Sequence, residues 1–162
     1  MPGVLQIVKI HASPERVYQA LTTADGIRNW WTRDADLDTA VGGLGEFRFQ
    51  GGKVHANVRI DALDAPTRVA WTALSGGGKF DEWAGTTILF ELRAAGDYTI
   101  LNLAHRGFAQ VDEGFTLVTR GWGHYMQSLQ KYLETGQGTP APVNAGCQCP
   151  ATPAQAIVAA VA

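Results

Sequence analysis

His105 is the polar side chain best suited to chemistry in this sequence, and it lies in the stretch LAHRGF. The alternation of side chains along a strand places it on the same face as Leu101 and Leu103, which is the apolar one. An imidazole, with an ordinary pKa of about 6.5, can orient a ligand there or act as acid and base. The alternative is a core histidine whose nitrogens are satisfied by a backbone or tyrosine partner.

Aromatic side chains recur at spacings that would gather them around this histidine. Some fall on one face of a series of strands and others on one face of a helix, so together they predict a chamber for a flat apolar ligand with one polar handle. An ordinary core shows the same stripes, so close packing without a cavity is the alternative. By this spacing the predicted lining residues are Phe49, Trp71, Phe90, His105, Trp122, Tyr125 and Met126.

Covalent catalysis is not indicated by the sequence. Serine occurs only at Ser13, Ser75 and Ser128, and none of them lies in a GxSxG motif. Asp81 and Glu82 could place a carboxylate at the rim of the chamber, although a solvated loop is the simpler interpretation. His105 is therefore the first candidate for acid–base chemistry, and no catalytic residue is assigned from the sequence.

Metal and cofactor sites are not predicted. The four histidines are never three or four positions apart. The stretch DADLD from Asp34 to Asp38 resembles the start of a calcium loop, but its sixth position is Thr39 and its twelfth is Gly45. Cys147 and Cys149 offer two thiolates, whereas a closed zinc site needs four ligands.

The composition is that of one globular domain. The 162 residues are 46% hydrophobic and 17% charged, with a formal net charge of -2. This balance argues against nucleic acid and anionic membranes as partners. No apolar run approaches the roughly 20 residues that a membrane span needs, so we expect a cytoplasmic protein.

The order of elements predicts an α+β fold. A first strand is followed by a helix that starts at Ser13 and Pro14, then by a second short helix over residues 25–31. About six strands with alternating polarity follow, and a long helix over residues 115–135 covers their apolar face. In that helix Gly121 and Gly123 flank Trp122, which permits either close packing on the sheet or room for a ligand.

The composition changes after the last helix. Residues 1–136 are predicted to form the ligand-binding domain. Residues 137–162 are rich in Pro, Ala and Gly and are predicted to be a flexible tail that contains both cysteines.

Three stretches carry a resemblance to a known family: SPERVYQALTTADGIRNWW, LAHRGF and RGWGHYMQSLQKYLETG. Over residues 4–136 the chain resembles the START-like (SRPBCC) superfamily, and within it the homologues of the activator of the heat shock protein 90 ATPase. The resemblance implies a helix-grip, Bet v 1-like fold, in which a curved antiparallel sheet wraps around the C-terminal helix and leaves a cavity between them. It also implies that Trp30 and Trp31 complete the lining near the cavity entrance, one of them in the core and the other at the mouth.

Several functions occur on this fold, so the resemblance leaves three hypotheses. A protein that binds a hydrophobic or aromatic molecule, lipid or polyketide-like, is favoured over an enzyme. A cofactor-independent cyclase or lyase would use His105 and Tyr125 for proton transfer. An interaction module would stimulate a chaperone ATPase. A homodimer also remains open.

Overall fold

A computed structural model describes residues 3–77 and 82–142, and it shows one sheet of seven strands with three helices. Two short helices follow the first strand and a long helix ends the domain. In chain order the elements are β1 (Gly3–Ile10), α1 (Pro14–Thr22), α2 (Ala24–Trp30), β2 (Asp34–Leu37), β3 (Leu44–Phe49), a 3-10 turn (Gln50–Gly52), β4 (Val54–Asp64), β5 (Arg68–Gly77), β6 (Thr87–Ala95), β7 (Tyr98–Arg106) and α3 (Glu113–Thr135).

The sheet is antiparallel throughout, in the order β1-β7-β6-β5-β4-β3-β2. Hairpins connect β2 to β7 in succession, and β7 then pairs with β1 to bring the start of the described chain beside its last strand. His105 on β7 lies between Val4 on β1 and Ile88 on β6. The predicted α+β helix-grip fold is confirmed.

The helix ends follow from capping chemistry. Ser13 accepts a hydrogen bond from the Arg16 amide at 3.3 Å, and Thr23 accepts one from the Gly26 amide at 3.0 Å. Helix α3 begins two residues before the predicted start because the Asp112 carboxylate caps it. It ends at Gly136, whose φ of 87° is left-handed and therefore suits glycine.

The core lies between the concave face of the sheet and α3. Alternate side chains of the strands are buried, as on β4, where Val54, Ala56, Val58 and Ile60 are at most 6% exposed. The helix contributes the facing stripe at helical spacing. Its buried residues are Val118, Gly121, Trp122, Tyr125, Met126, Ser128, Leu129 and Leu133.

The chain from residue 137 to residue 142 packs onto the domain, in contrast to the predicted flexible tail. Ala141 donates its amide to the Trp31 carbonyl at 2.8 Å and accepts from the Arg33 amide at 3.0 Å. The Thr139 amide donates to the Ser128 hydroxyl at 2.8 Å. These bonds use backbone groups, which composition does not reveal. The remaining predicted tail, with Cys147 and Cys149, lies outside the described residues.

None of the helices in residues 3–77 and 82–142 has the length and apolar character that crossing a bilayer requires.

Candidate functional site

The nine predicted lining residues lie together between the sheet and α3. Each of them is at most 2% exposed, and all contribute to one buried cluster. Both members of the tryptophan pair are buried, although the sequence predicted one of them at the mouth of a chamber. In this structure the rings of the cluster contact one another.

Trp31 is the centre of the aromatic cluster. Its ring lies 5.7 Å from that of Trp30, at an interplanar angle of 10°, and 5.2 Å from that of Trp122. The Phe47 ring approaches it to 4.4 Å, and Trp71 stacks on it at 6.3 Å. Trp31 is the first residue after α2, so that short helix places an indole at the middle of the sheet's concave face.

His105 is held by hydrogen bonds at both ring nitrogens. The Trp122 indole N–H donates to Nδ1 at 3.0 Å, and Nε2 lies 2.8 Å from the Thr86 hydroxyl. An indole N–H can only donate, so Nδ1 accepts and the proton of the neutral ring is on Nε2. The Thr86 hydroxyl in turn donates to the Trp83 carbonyl at 2.6 Å. Indole, imidazole, hydroxyl and carbonyl thus form one satisfied chain.

This environment keeps His105 neutral. The side chain is fully buried, and burial lowers its pKa to about 3, because the low-dielectric surroundings disfavour the imidazolium. A second proton, on Nδ1, would also face the Trp122 N–H. The histidine therefore positions Trp122 and Thr86, and it is poorly suited to exchange protons with a substrate near neutral pH.

Two buried donors in the cluster have no partner among the described residues. They are the indole Nε1 of Trp31 and the hydroxyl of Tyr125. Burial raises the pKa of Tyr125 well above its usual value, so the phenol keeps its proton. An unsatisfied buried polar group costs about 1–3 kcal/mol, so two of them within one core are unusual.

Charged groups lie outside the core. Within the part of the chain that the structure describes, no Asp, Glu, Lys or Arg is fully buried, and no three side chains of His, Cys, Asp or Glu could hold a metal ion. The Asp34 and Asp36 carboxylates form ion pairs with Arg48, at 2.8 Å and 2.7 Å. That pairing lowers the pKa of Asp36. In the DADLD stretch, residues Asp34–Leu37 thus form strand β2, and the Asp34 and Asp36 carboxylates pair with Arg48.

Three residues of the cluster were not among the predicted lining residues. Trp83 and Thr86 lie in the loop before β6, where no strand or helix period signals burial, and Phe47 lies on β3. The Trp83 ring lies 4.5 Å from the His105 ring. Glu82, next to it, is exposed, and Asp81 lies outside the described residues.

Comparison with known proteins places this fold in context. A family model described as "Activator of Hsp90 ATPase homolog 1-like protein" matches residues 11–134. The Aha1 dimer from Colwellia psychrerythraea, a solved structure, is 32% identical to this chain, with a TM-score of 0.75. That match covers 85% of this chain and 100% of that one.

Two more distant structures share the fold. An HSP90 activator from Plasmodium falciparum is 16% identical, with a TM-score of 0.65 over 83% of this chain and 96% of that one. CalU16 from Micromonospora echinospora is 19% identical, with a TM-score of 0.63 over 83% of this chain and 77% of that one. A search of the curated proteins found no match.

Proposed function

The chain belongs to the Activator of Hsp90 ATPase homolog 1-like family, and from that premise we propose that it binds a small apolar molecule between the sheet and α3. The proposed ligand is lipid-like or polyketide-like, carries an aromatic or flat apolar body, and has one hydrogen-bond acceptor. Its proposed lining is the set of nine buried residues predicted from the sequence.

The observation that carries this proposal is a pair of buried donors that no described residue satisfies, the Trp31 indole and the Tyr125 hydroxyl. An indole N–H can only donate, and the phenol of Tyr125 stays protonated because burial raises its pKa. A ligand that matches them therefore presents an acceptor, such as a ketone or quinone oxygen. The surrounding indole and phenyl rings suit the flat apolar part of such a molecule.

Binding at this site requires the cluster to open. Trp31 and Tyr125 are each at most 1% exposed, and the rings around Trp31 lie in contact. A ligand would thus bind a less populated open form and shift the equilibrium toward it. Its apparent affinity is the intrinsic affinity multiplied by the fraction of molecules that are open.

The state of His105 favours binding over catalysis. A cyclase or lyase would need a group that takes and returns a proton near neutral pH. The pKa of His105 is about 3, and both of its nitrogens are bonded within the protein. The other predicted participant, Tyr125, has its pKa raised by burial and would be a poor base.

The test is thermal unfolding of the protein with fatty acids, flavonoids, polyketide-like aromatics and sterols. A ligand at about 100 times its Kd stabilises the fold by about 2.7 kcal/mol, which raises Tm by several degrees. Tyr125→Phe should lose most of that shift. The matched control is Tyr132→Phe, since Tyr132 is half-buried on the same helix and should keep it. No shift with any class, or an equal shift in Tyr125→Phe, would contradict the proposal.

A chaperone-related function is the second candidate. The family description and the relative from Plasmodium falciparum, an HSP90 activator, support it. The match to the Aha1 chain from Colwellia psychrerythraea covers all of that chain, so its whole length corresponds to this one domain. The test is the ATPase rate of a purified Hsp90 with and without this protein. An unchanged rate at saturating concentrations would exclude the activity for that chaperone.

We also propose that two copies of the chain associate. The relative with 32% identity is a dimer in solution, and that match spans its full chain. Sedimentation equilibrium over a range of concentrations tests this directly, and a single monomer mass throughout would contradict it.

A further inference from the structure

The two edges of the sheet are protected very differently. The edge at β2 is only four residues long, and the Arg28 side chain donates to the Ala35 carbonyl from Nε at 3.1 Å and from Nη2 at 2.8 Å. Just before β2, Thr32 pairs with Ala141. Short length and covering groups are the usual means of preventing strand addition.

The edge at β1 is eight residues long and pairs with β7 on one side only, among the described residues. The backbone groups of alternate residues in a strand point to the same side. The Lys9 carbonyl accepts from the Gln130 side chain at 3.2 Å, and the His11 amide donates to the Glu134 carboxylate at 2.8 Å. The backbone N–H and C=O groups of these odd-numbered residues therefore point away from β7, toward the edge.

Leu5 and Ile7 share that parity, so their N–H and C=O groups also face the edge, beyond the cover that α3 provides at Lys9. Their side chains are 68% and 74% exposed on the outer face of the sheet. Leu5 also continues an apolar row across the outer face, through Ala104 of β7 to Leu89 of β6. Among the described residues, this edge thus combines backbone groups that pair with no other strand with large exposed apolar side chains, which is the pattern expected where another strand is added.

We propose that β1 is the dimer interface and that it pairs antiparallel with β1 of a second copy, in a register centred on Gln6. This inference rests on the association proposed above. A two-fold axis makes the interface self-complementary, and antiparallel pairing satisfies that symmetry. The result is one continuous sheet that runs through both subunits.

The register follows from the side chains. Two residues that are opposite each other in an antiparallel strand pair have their side chains on the same side of the sheet. Opposite residues of the two β1 strands are therefore both odd-numbered or both even-numbered, so the two-fold axis passes through one residue position and not between two. An axis at Gln6 sets Leu5 opposite Ile7 of the partner subunit, and both are apolar. An axis at Ile7 would set Leu5 opposite a lysine. Pairing about Gln6 also holds the two Lys9 residues about 20 Å apart along the strands, whereas parallel pairing would bring them together.

The experiment is sedimentation of the full chain and of the double variant Leu5→Lys/Ile7→Lys. Facing like charges destabilise a strand pair, so we expect dimerisation to weaken at least about tenfold. The matched control is Val41→Lys, because Val41 is 61% exposed in the β2–β3 connection and lies away from this edge. It should keep the wild-type affinity.

Crosslinking tests the register in a Cys147→Ser/Cys149→Ser background. Gln6→Cys should form an intersubunit disulfide on oxidation, because Gln6 would face its own copy at a close, non-hydrogen-bonded position. A dimer that persists in the lysine variant and gives no Gln6→Cys crosslink would overturn the β1 interface while preserving the dimer. A wild-type chain that is monomeric at every concentration would instead overturn the association itself.

Discussion

The indole N–H of Trp122 donates a hydrogen bond to Nδ1 of His105 across the interface between α3 and β7, at 3.0 Å. This bond ties the covering helix to the sheet inside an otherwise apolar layer. It also fixes which nitrogen of His105 carries the proton: the proton is on Nε2, and this nitrogen lies 2.8 Å from the Thr86 hydroxyl oxygen. The tryptophan between the two helix glycines thus has a specific polar partner.

Replacing Trp122 with Phe should destabilise the protein by roughly 2 kcal/mol or more, because Nδ1 of His105 would be left buried without a donor. Urea unfolding measures the change. A double-mutant cycle with His105→Phe isolates the pair, and we expect a coupling of about 1 kcal/mol or more. The 15N spectrum of the wild-type imidazole should show the Nε2–H tautomer at neutral pH. Additive losses, or the Nδ1–H tautomer, would refute the assignment.

Protonation of His105 should make the fold less stable in acid. Its pKa is about 3 in the folded protein and about 6.5 when unfolded, so between these values the unfolded chain binds a proton that the folded chain does not. The stability that the fold keeps while His105 is neutral in both states is fully present above about pH 6.5. It falls by up to about 1.4 kcal/mol per pH unit as the pH drops toward 3. Stability from urea unfolding at several pH values should therefore slope less steeply in His105→Gln. The control His11→Asn changes an exposed histidine and should retain the wild-type slope.

Removing the hydroxyl of Tyr125 should not destabilise the ligand-free protein. The hydroxyl is buried with no partner among the described residues, and its removal relieves a desolvation cost of about 1–3 kcal/mol. Tyr125→Phe should thus be neutral or stabilising by about 1 kcal/mol in chemical unfolding, even though it weakens ligand binding. A loss above about 1 kcal/mol would mean that the hydroxyl is already bonded in the free protein.

Gly138 is needed for the chain after α3 to pack on the domain. A Cβ there would lie 2.5 Å from the Asn29 carbonyl oxygen and 2.9 Å from that of Ser128, which is too close. Gly138→Ala should release this segment, and amide exchange at Ala141, whose N–H donates to Trp31, should become much faster.

Gly123→Ala is the matched control for that substitution. A Cβ at Gly123 would meet only Gln6, at an ordinary 3.8 Å. Since alanine favours the helix, this variant should be stabilised by about 0.5–1 kcal/mol and leave exchange at Ala141 unchanged. Equal exchange in both variants would show that the packing of the segment does not depend on Gly138.

The sequence alone determined the local structure and the fold class. Ser13 marked a helix start because capping depends on a few neighbouring residues, and the predicted alternating polarity of the strands agrees with the alternating burial on β4. The position of His105 on the apolar face also followed from strand parity.

Only the tertiary structure decided what those residues contact. The partners of His105 come from a loop before β6 and from a helix 17 residues later, and no spacing rule joins them. The same holds for residues 137–142, where the backbone bonds of Ala141 to Trp31 and Arg33 followed from no sequence pattern. Hydrogen bonds between distant elements depend on how those elements pack. The sequence pattern could therefore place each side chain on a face but could not name its partner.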